Sequence, residues 1–92
     1  PGQIQSAAEL YSPESGRVLE VLTTQPGVQI YTGNWLEGCP EGKDGHIYHD
    51  YDGVAIECQH YPDSPNEPSY PTTELRPGEV FEQAIIFAFS VR

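Results

Sequence analysis

An all-β fold is what this sequence predicts, and three observations carry it. Glycine and proline number nine each among 92 residues, too many helix breakers for a helical bundle. Apolar and polar side chains alternate with period two in Val28–Thr32 and again in Gly53–His60, the pattern of a half-buried strand. The longest apolar run, Val80–Val91, is aromatic and β-branched and follows Pro77-Gly78. Its residues alone do not forbid a helix, but the upstream breaker and the strand character of the remaining runs favour a strand.

Taken in order, Ser6–Tyr11 reads as a weak strand ahead of a turn through Ser12–Gly16. Val18–Thr24 is β-branched and apolar apart from Glu20, and it ends at Gln25-Pro26-Gly27. Pro26-Gly27 and Pro77-Gly78 both suit turns with proline second and glycine third, the position that needs a positive φ. Gly38–Asp52 contains three glycines and several carboxylates. With little to bury, it reads as a long exposed loop. Pro62, Pro65, Pro68 and Pro71 punctuate an extended loop that Tyr61 and Tyr70 could hold against a surface. In the last run Phe81, Ile85, Phe87, Phe89 and Val91 share one face and Ala84, Ile86 and Ala88 the other, which predicts a strand covered on both sides. Trp35, the one tryptophan, is expected in the core.

Lys and Arg total 4 against 14 Asp and Glu, for a net charge of −10. That excess repels phosphate backbones and anionic headgroups, so neither nucleic acid nor a membrane surface is an expected partner. No apolar run approaches the roughly 20 residues of a spanning helix, and the start of the chain lacks the pattern of a secretory leader. Cys39 and Cys58 could form one bridge, but two free thiols of a cytoplasmic protein are the favoured reading. A domain of this length buries only about two-thirds of its unfolded surface, so as a monomer it would be marginal.

In Gly53–His60, alternation sends Val54, Ile56 and Cys58 to one face and Ala55, Glu57 and Gln59 to the other. A mid-strand carboxylate between a small residue and an amide fits either a solvated sheet face or a polar pocket with Glu57 as base. Gln29 shares its face with Tyr31 and Gly33; an amide beside an aromatic ring suits a sugar, and equally an ordinary half-exposed strand. His46 and His49 stand near Asp44, Asp50 and Asp52 without any recognised metal-ligand spacing, so solvated loop histidines are expected rather than a metal site. Cys58 lies on an apolar face with no base beside it, which argues against a thiol nucleophile. Glu57 and Asp63 can be drawn as a glycosidase pair only if the fold brings them together.

Three longer segments carry a resemblance. Thr23-Thr24-Gln25-Pro26-Gly27-Val28-Gln29-Ile30-Tyr31-Thr32-Gly33-Asn34 resembles the TTxPGxQxYTGN segment of the aldose 1-epimerases, the galactose mutarotases. Ile56-Glu57-Cys58-Gln59-His60-Tyr61-Pro62-Asp63-Ser64-Pro65-Asn66 resembles that family's LETQxxPDxxN segment, and Leu75-Arg76-Pro77-Gly78-Glu79 its LRPGE turn. Gly16–Val21 fits the strand leading into the first segment. All lie in the family's order between Gly16 and Val91.

The resemblance implies the large antiparallel β-sandwich of the galactose mutarotase-like family, with residues 1–92 as its C-terminal portion. It implies an isomerase that interconverts the α and β anomers of a neutral aldose such as galactose or glucose, without cofactor or metal. Glu57 takes the position of the family's general base and Gln29 that of its sugar ligand. Cys58 stands where threonine is usual, a packing change. The catalytic histidine that acts as acid, a second histidine, and the asparagine, arginine and aspartate of the sugar site have no counterpart here; His46, His49 and His60 match none of those positions. The remainder of the sandwich is therefore expected from a longer parent chain or a second polypeptide. The alternatives are a non-catalytic carbohydrate-binding or structural β-module that lost the acid, and a glycosidase-like hydrolase.

Overall fold

A computed structural model describes residues 2–92. Five strands form in the order β1 (Gln5–Tyr11), β2 (Arg17–Thr23), β3 (Gly27–Tyr31), β4 (Ala55–Gln59) and β5 (Ile85–Val91), with short 3-10 turns at Lys43–Gly45 and Ser64–Asn66. β1, β2 and β5 make one sheet with β2 at its centre, and β3 and β4 make a second. Every pairing is antiparallel. The fold class is all-β, as the glycine, proline and alternation pattern predicts, and the weak first run is a full strand.

β2 supplies the core because it alone has a partner on each edge. Val21 is fully buried and Val18 nearly so. Thr23, also buried, spends its hydroxyl twice: it donates to the Ala84 carbonyl at 3.0 Å and accepts from the Gln25 amide at 3.1 Å. A register shift between Ser6 and Ala8 marks a bulge in β1, which bends that outer strand.

Four expectations need correction. The last strand begins at Ile85 rather than Val80, since its ladder with β2 ends at the Thr23–Ile85 pair. Beyond Thr23 the chain turns away toward β3: the Thr24 amide still donates to the Ala84 carbonyl at 3.2 Å, and the remaining links from Gln83 and Ala84 to residues 23–25 run through side chains. β5 is not covered on both sides: it is an edge strand, with Phe89 75% and Val91 79% exposed. Trp35 is 78% exposed rather than in the core, because it sits in the loop after β3, where no second layer reaches it. Gly27 has no positive φ; it opens β3 opposite Gln59, and its lack of a side chain serves a close approach described below. Gly78 behaves as predicted, with φ +86° and the Glu79 amide bonded to the Arg76 carbonyl at 3.0 Å.

The proline-punctuated loop is ordered by its own hydrogen bonds. The Tyr61 carbonyl accepts from both the amide and the hydroxyl of the buried Ser64. The Tyr61 and Tyr70 rings meet edge-to-face with centroids 5.2 Å apart, a favourable aromatic geometry. No helix among the described residues is long and apolar enough to cross a membrane. Truncating the most buried side chain, Val21→Ala, is expected to destabilise the protein by about 2 kcal/mol through lost burial and a residual cavity. The denaturant midpoint measures it; Val91→Ala, at an exposed site, should leave the midpoint nearly unchanged.

Candidate functional site

The two residues singled out in the sequence meet across the second sheet. Gln29 of β3 is the register partner of Glu57 of β4. Directly opposed residues of an antiparallel pair hold their Cβ atoms about 4.5–5.5 Å apart on one face. The flanking pairs on that face are Gly27–Gln59 and Tyr31–Ala55, while Val28–Cys58 and Ile30–Ile56 lie on the reverse. In β4 Ile56 and Cys58 are half-buried and Glu57 exposed, as the alternation predicts, whereas β3 does not alternate in burial: Gln29, Ile30 and Tyr31 are all exposed, Ile30 at 56%. Among the described residues neither the Glu57 carboxylate nor the Gln29 amide engages another side chain. Both are available to a ligand: one as acceptor or base, the other as donor and acceptor.

The sheet holds this pair because both of its ends are tied. At one end the Tyr31 hydroxyl accepts from the Trp35 amide at 3.0 Å, fixing the ring that follows Gln29 on its face. The loop between β3 and β4 is closed at its base, where the Tyr51 amide donates to the Gly33 carbonyl at 2.8 Å. Gly33 has φ +72°, and a Cβ there would lie 2.7 Å from the Gly53 carbonyl oxygen, so only glycine permits this closure. At the other end the Tyr61 ring lies over Gly27, 2.8 Å from where a Cβ would sit.

The remaining candidates have structural duties. The Glu37 amide donates to the Asp50 carboxylate and the His49 amide to that of Asp52, each at 2.8 Å. His49 Nδ1 lies 2.9 Å from Glu37 Oε2, and the His46 ring packs on Tyr48. No group of three or more potential metal ligands gathers among the described residues. Asp63 accepts from the Asn66 side chain at 2.6 Å and has a positive φ, so it braces the turn. Cys39 is exposed and Cys58 half-buried, and they are not bonded to each other. Gln59, which the alternation puts on the Glu57 face, borders a small depression beside the pair together with His60, Tyr61, Gly27 and Gln29. The alternation assigns these residues no binding role, because it carries no sign that the chain after β4 brings His60 and Tyr61 back beside Gln29.

The hydrogen bond and negative charge of Glu37, with Asp52 and Asp50 adding less, raise the His49 pKa above its ordinary 6.5. A raised folded-state value means that the pair supports the loop fully below the unfolded pKa, and that this support is lost as pH rises through the folded value. An NMR titration of the ring protons should therefore place His49 above 6.5, and Glu37→Gln should lower it. Identical titrations in both proteins would refute the pairing.

The profile described as Aldose 1-epimerase matches residues 3–88. The chain is 50% identical to "Galactose mutarotase" of Homo sapiens over 84 residues, which is 91% of this chain and 25% of that protein. It is 53% identical to the protein of the same name from Mus musculus over 77 residues, 84% of this chain and 22% of that one. It is 39% identical to "Aldose 1-epimerase" of Escherichia coli over 85 residues, 90% of this chain and 24% of that one. The chain thus spans about a quarter of the length of the curated relatives it matches. With a profile match over nearly all of its residues, and with the quoted segments placed on adjoining strands and turns, the chain belongs to the aldose 1-epimerase family.

Proposed function

We propose that this chain is the C-terminal portion of a mutarotase sandwich and carries the base half of its sugar site. The observation that supports this most directly is the cross-strand pair of Gln29 and Glu57. In the proposed reaction, Glu57 takes the proton from the anomeric hydroxyl of a neutral cyclic aldose such as galactose or glucose. The C1–O5 bond breaks as O5 gains a proton, giving the open-chain aldehyde. Rotation about C1–C2 presents the other carbonyl face, the O5 hydroxyl re-attacks C1 as its proton returns to the acid that supplied it, and Glu57 returns its own proton to the former carbonyl oxygen, now the new anomeric hydroxyl. Glu57 is thus base and then acid for one oxygen, and Gln29 holds the sugar without competing for protons.

The group that protonates O5 is assigned to the rest of the parent protein, on a longer chain or a second polypeptide. His46 and His49 are taken up in the loop between β3 and β4, which supports placing the acid elsewhere. The exposed apolar face of β5, with Phe87 and Phe89, is the surface we assign to contact with that remainder. The acidic net charge supports a neutral sugar over a phosphorylated one, and cytoplasmic placement accords with two unbonded cysteines. The same residues would also suit a carbohydrate-binding module without catalysis, which differs by binding sugar with no rate enhancement.

In the complete protein, Glu57→Gln should lower the rate of galactose mutarotation, followed by optical rotation, by about 10²–10⁴-fold with an unchanged circular dichroism spectrum. A near-normal rate would remove Glu57 from the role of base. Gln29→Ala should raise KM about tenfold, the scale of one or two lost hydrogen bonds, and leave kcat less affected. Sugar binding without any acceleration by the wild-type protein would favour the non-catalytic module.

A further inference from the structure

The depression beside the Gln29–Glu57 pair is defined by an aromatic ring placed there for a reason visible in the sequence. Its volume is about 90 Å³, well below the roughly 300–1,000 Å³ of a pocket that encloses a whole ligand, so it suits one substituent of a sugar ring rather than the ring itself. Tyr61 forms its wall. On β3, Gly27 and Gln29 point to the same face, and the Tyr61 ring occupies the space that a side chain at Gly27 would fill. Its position is fixed from behind by the edge-on Tyr70 ring and through its own carbonyl by Ser64. The wall offers an apolar ring, while Gln29, Gln59 and His60 at the border offer polar groups. A CH2OH group matches both: its methylene packs on the ring and its hydroxyl bonds to an amide.

We propose that Tyr61 is a specificity-determining residue of the sugar site, walling a subsite beside Gln29 that accepts the exocyclic hydroxymethyl group of an aldohexose. This rests on the mutarotase reading above for its kinetic form. The complete wild-type protein and the Tyr61→Ala, Tyr61→Phe and Gly27→Ala variants are compared on D-galactose and on L-arabinose, which has the same ring configuration and lacks only the hydroxymethyl group. Tyr61→Ala should raise KM for galactose about tenfold and leave both kcat and the arabinose KM within twofold. Tyr61→Phe should behave as wild type, since the ring and not the phenol forms the wall. Gly27→Ala, whose methyl group displaces the ring, should shift the galactose KM in the same direction. This variant carries the test if Tyr61→Ala does not fold. Equal effects on both sugars, or none on either, would overturn the assignment. Should the wild-type protein accelerate neither sugar, the mutarotase reading fails and the comparison passes to calorimetric titration. There, loss of the hexose preference in Tyr61→Ala supports the wall; an unchanged preference, or no sugar binding at all, overturns it.

Discussion

The antiparallel register of β3 against β4 is the constraint on which the candidate site depends. With Gln29 opposite Glu57, an amide and a carboxylate that lie 28 positions apart in the chain become neighbours on one sheet face. A slip of one residue would carry every side chain of one strand to the reverse face and pair Gln29 with Ile56 or Cys58 in sequence alone, with nothing polar beside it. The register is held by features outside the ladder: the Gly33 closure that ties the long loop at its base, and the Tyr61 ring seated over Gly27. The glycines of the PGxQ and YTG segments therefore permit the geometry that sets Gln29 beside Glu57.

The first sheet plays a different part. Its central strand β2 carries the only fully buried large side chain among the described residues, Val21, and its outer strand β5 presents Ile85, Ile86, Phe87, Phe89 and Val91 to solvent. An exposed apolar area of that composition is a surface built to be covered. That agrees with a chain that spans about a quarter of the length of its relatives. Core and candidate site are thus divided: β1, β2 and β5 carry the buried residues and an exposed apolar face, while β3 and β4 carry the Gln29–Glu57 pair.

Much of this was legible in the sequence, and the failures have physical causes. Period-two alternation located β3 and β4 and assigned Gln29 and Glu57 to exposed faces. It could not give their mutual register, because that depends on a loop of more than twenty residues whose closure is tertiary. Gly27 was misread as a turn glycine because Pro-Gly is a local turn signal, whereas its actual requirement comes from Tyr61, distant in sequence. Trp35 and the apolar faces of β5 stand exposed for one reason: hydrophobicity reports what a side chain would bury, not whether the partner is present. Strand propensity persists from Val80, but the regular ladder with β2 stops at the Thr23–Ile85 pair, and one backbone bond from Thr24 to Ala84 is its last continuation.

The central claim is that Gln29 and Glu57 form the base half of a mutarotase site whose acid lies in the remainder of the protein. The most direct test is polarimetry of freshly dissolved α-D-galactose with the 92-residue chain alone and with the complete protein, at equal molar concentrations. Rapid relaxation to the equilibrium anomer mixture is expected with the complete protein, and only the spontaneous rate with the 92 residues. Fast relaxation by the 92-residue chain alone would contradict it, since the acid would then have to lie among the residues described.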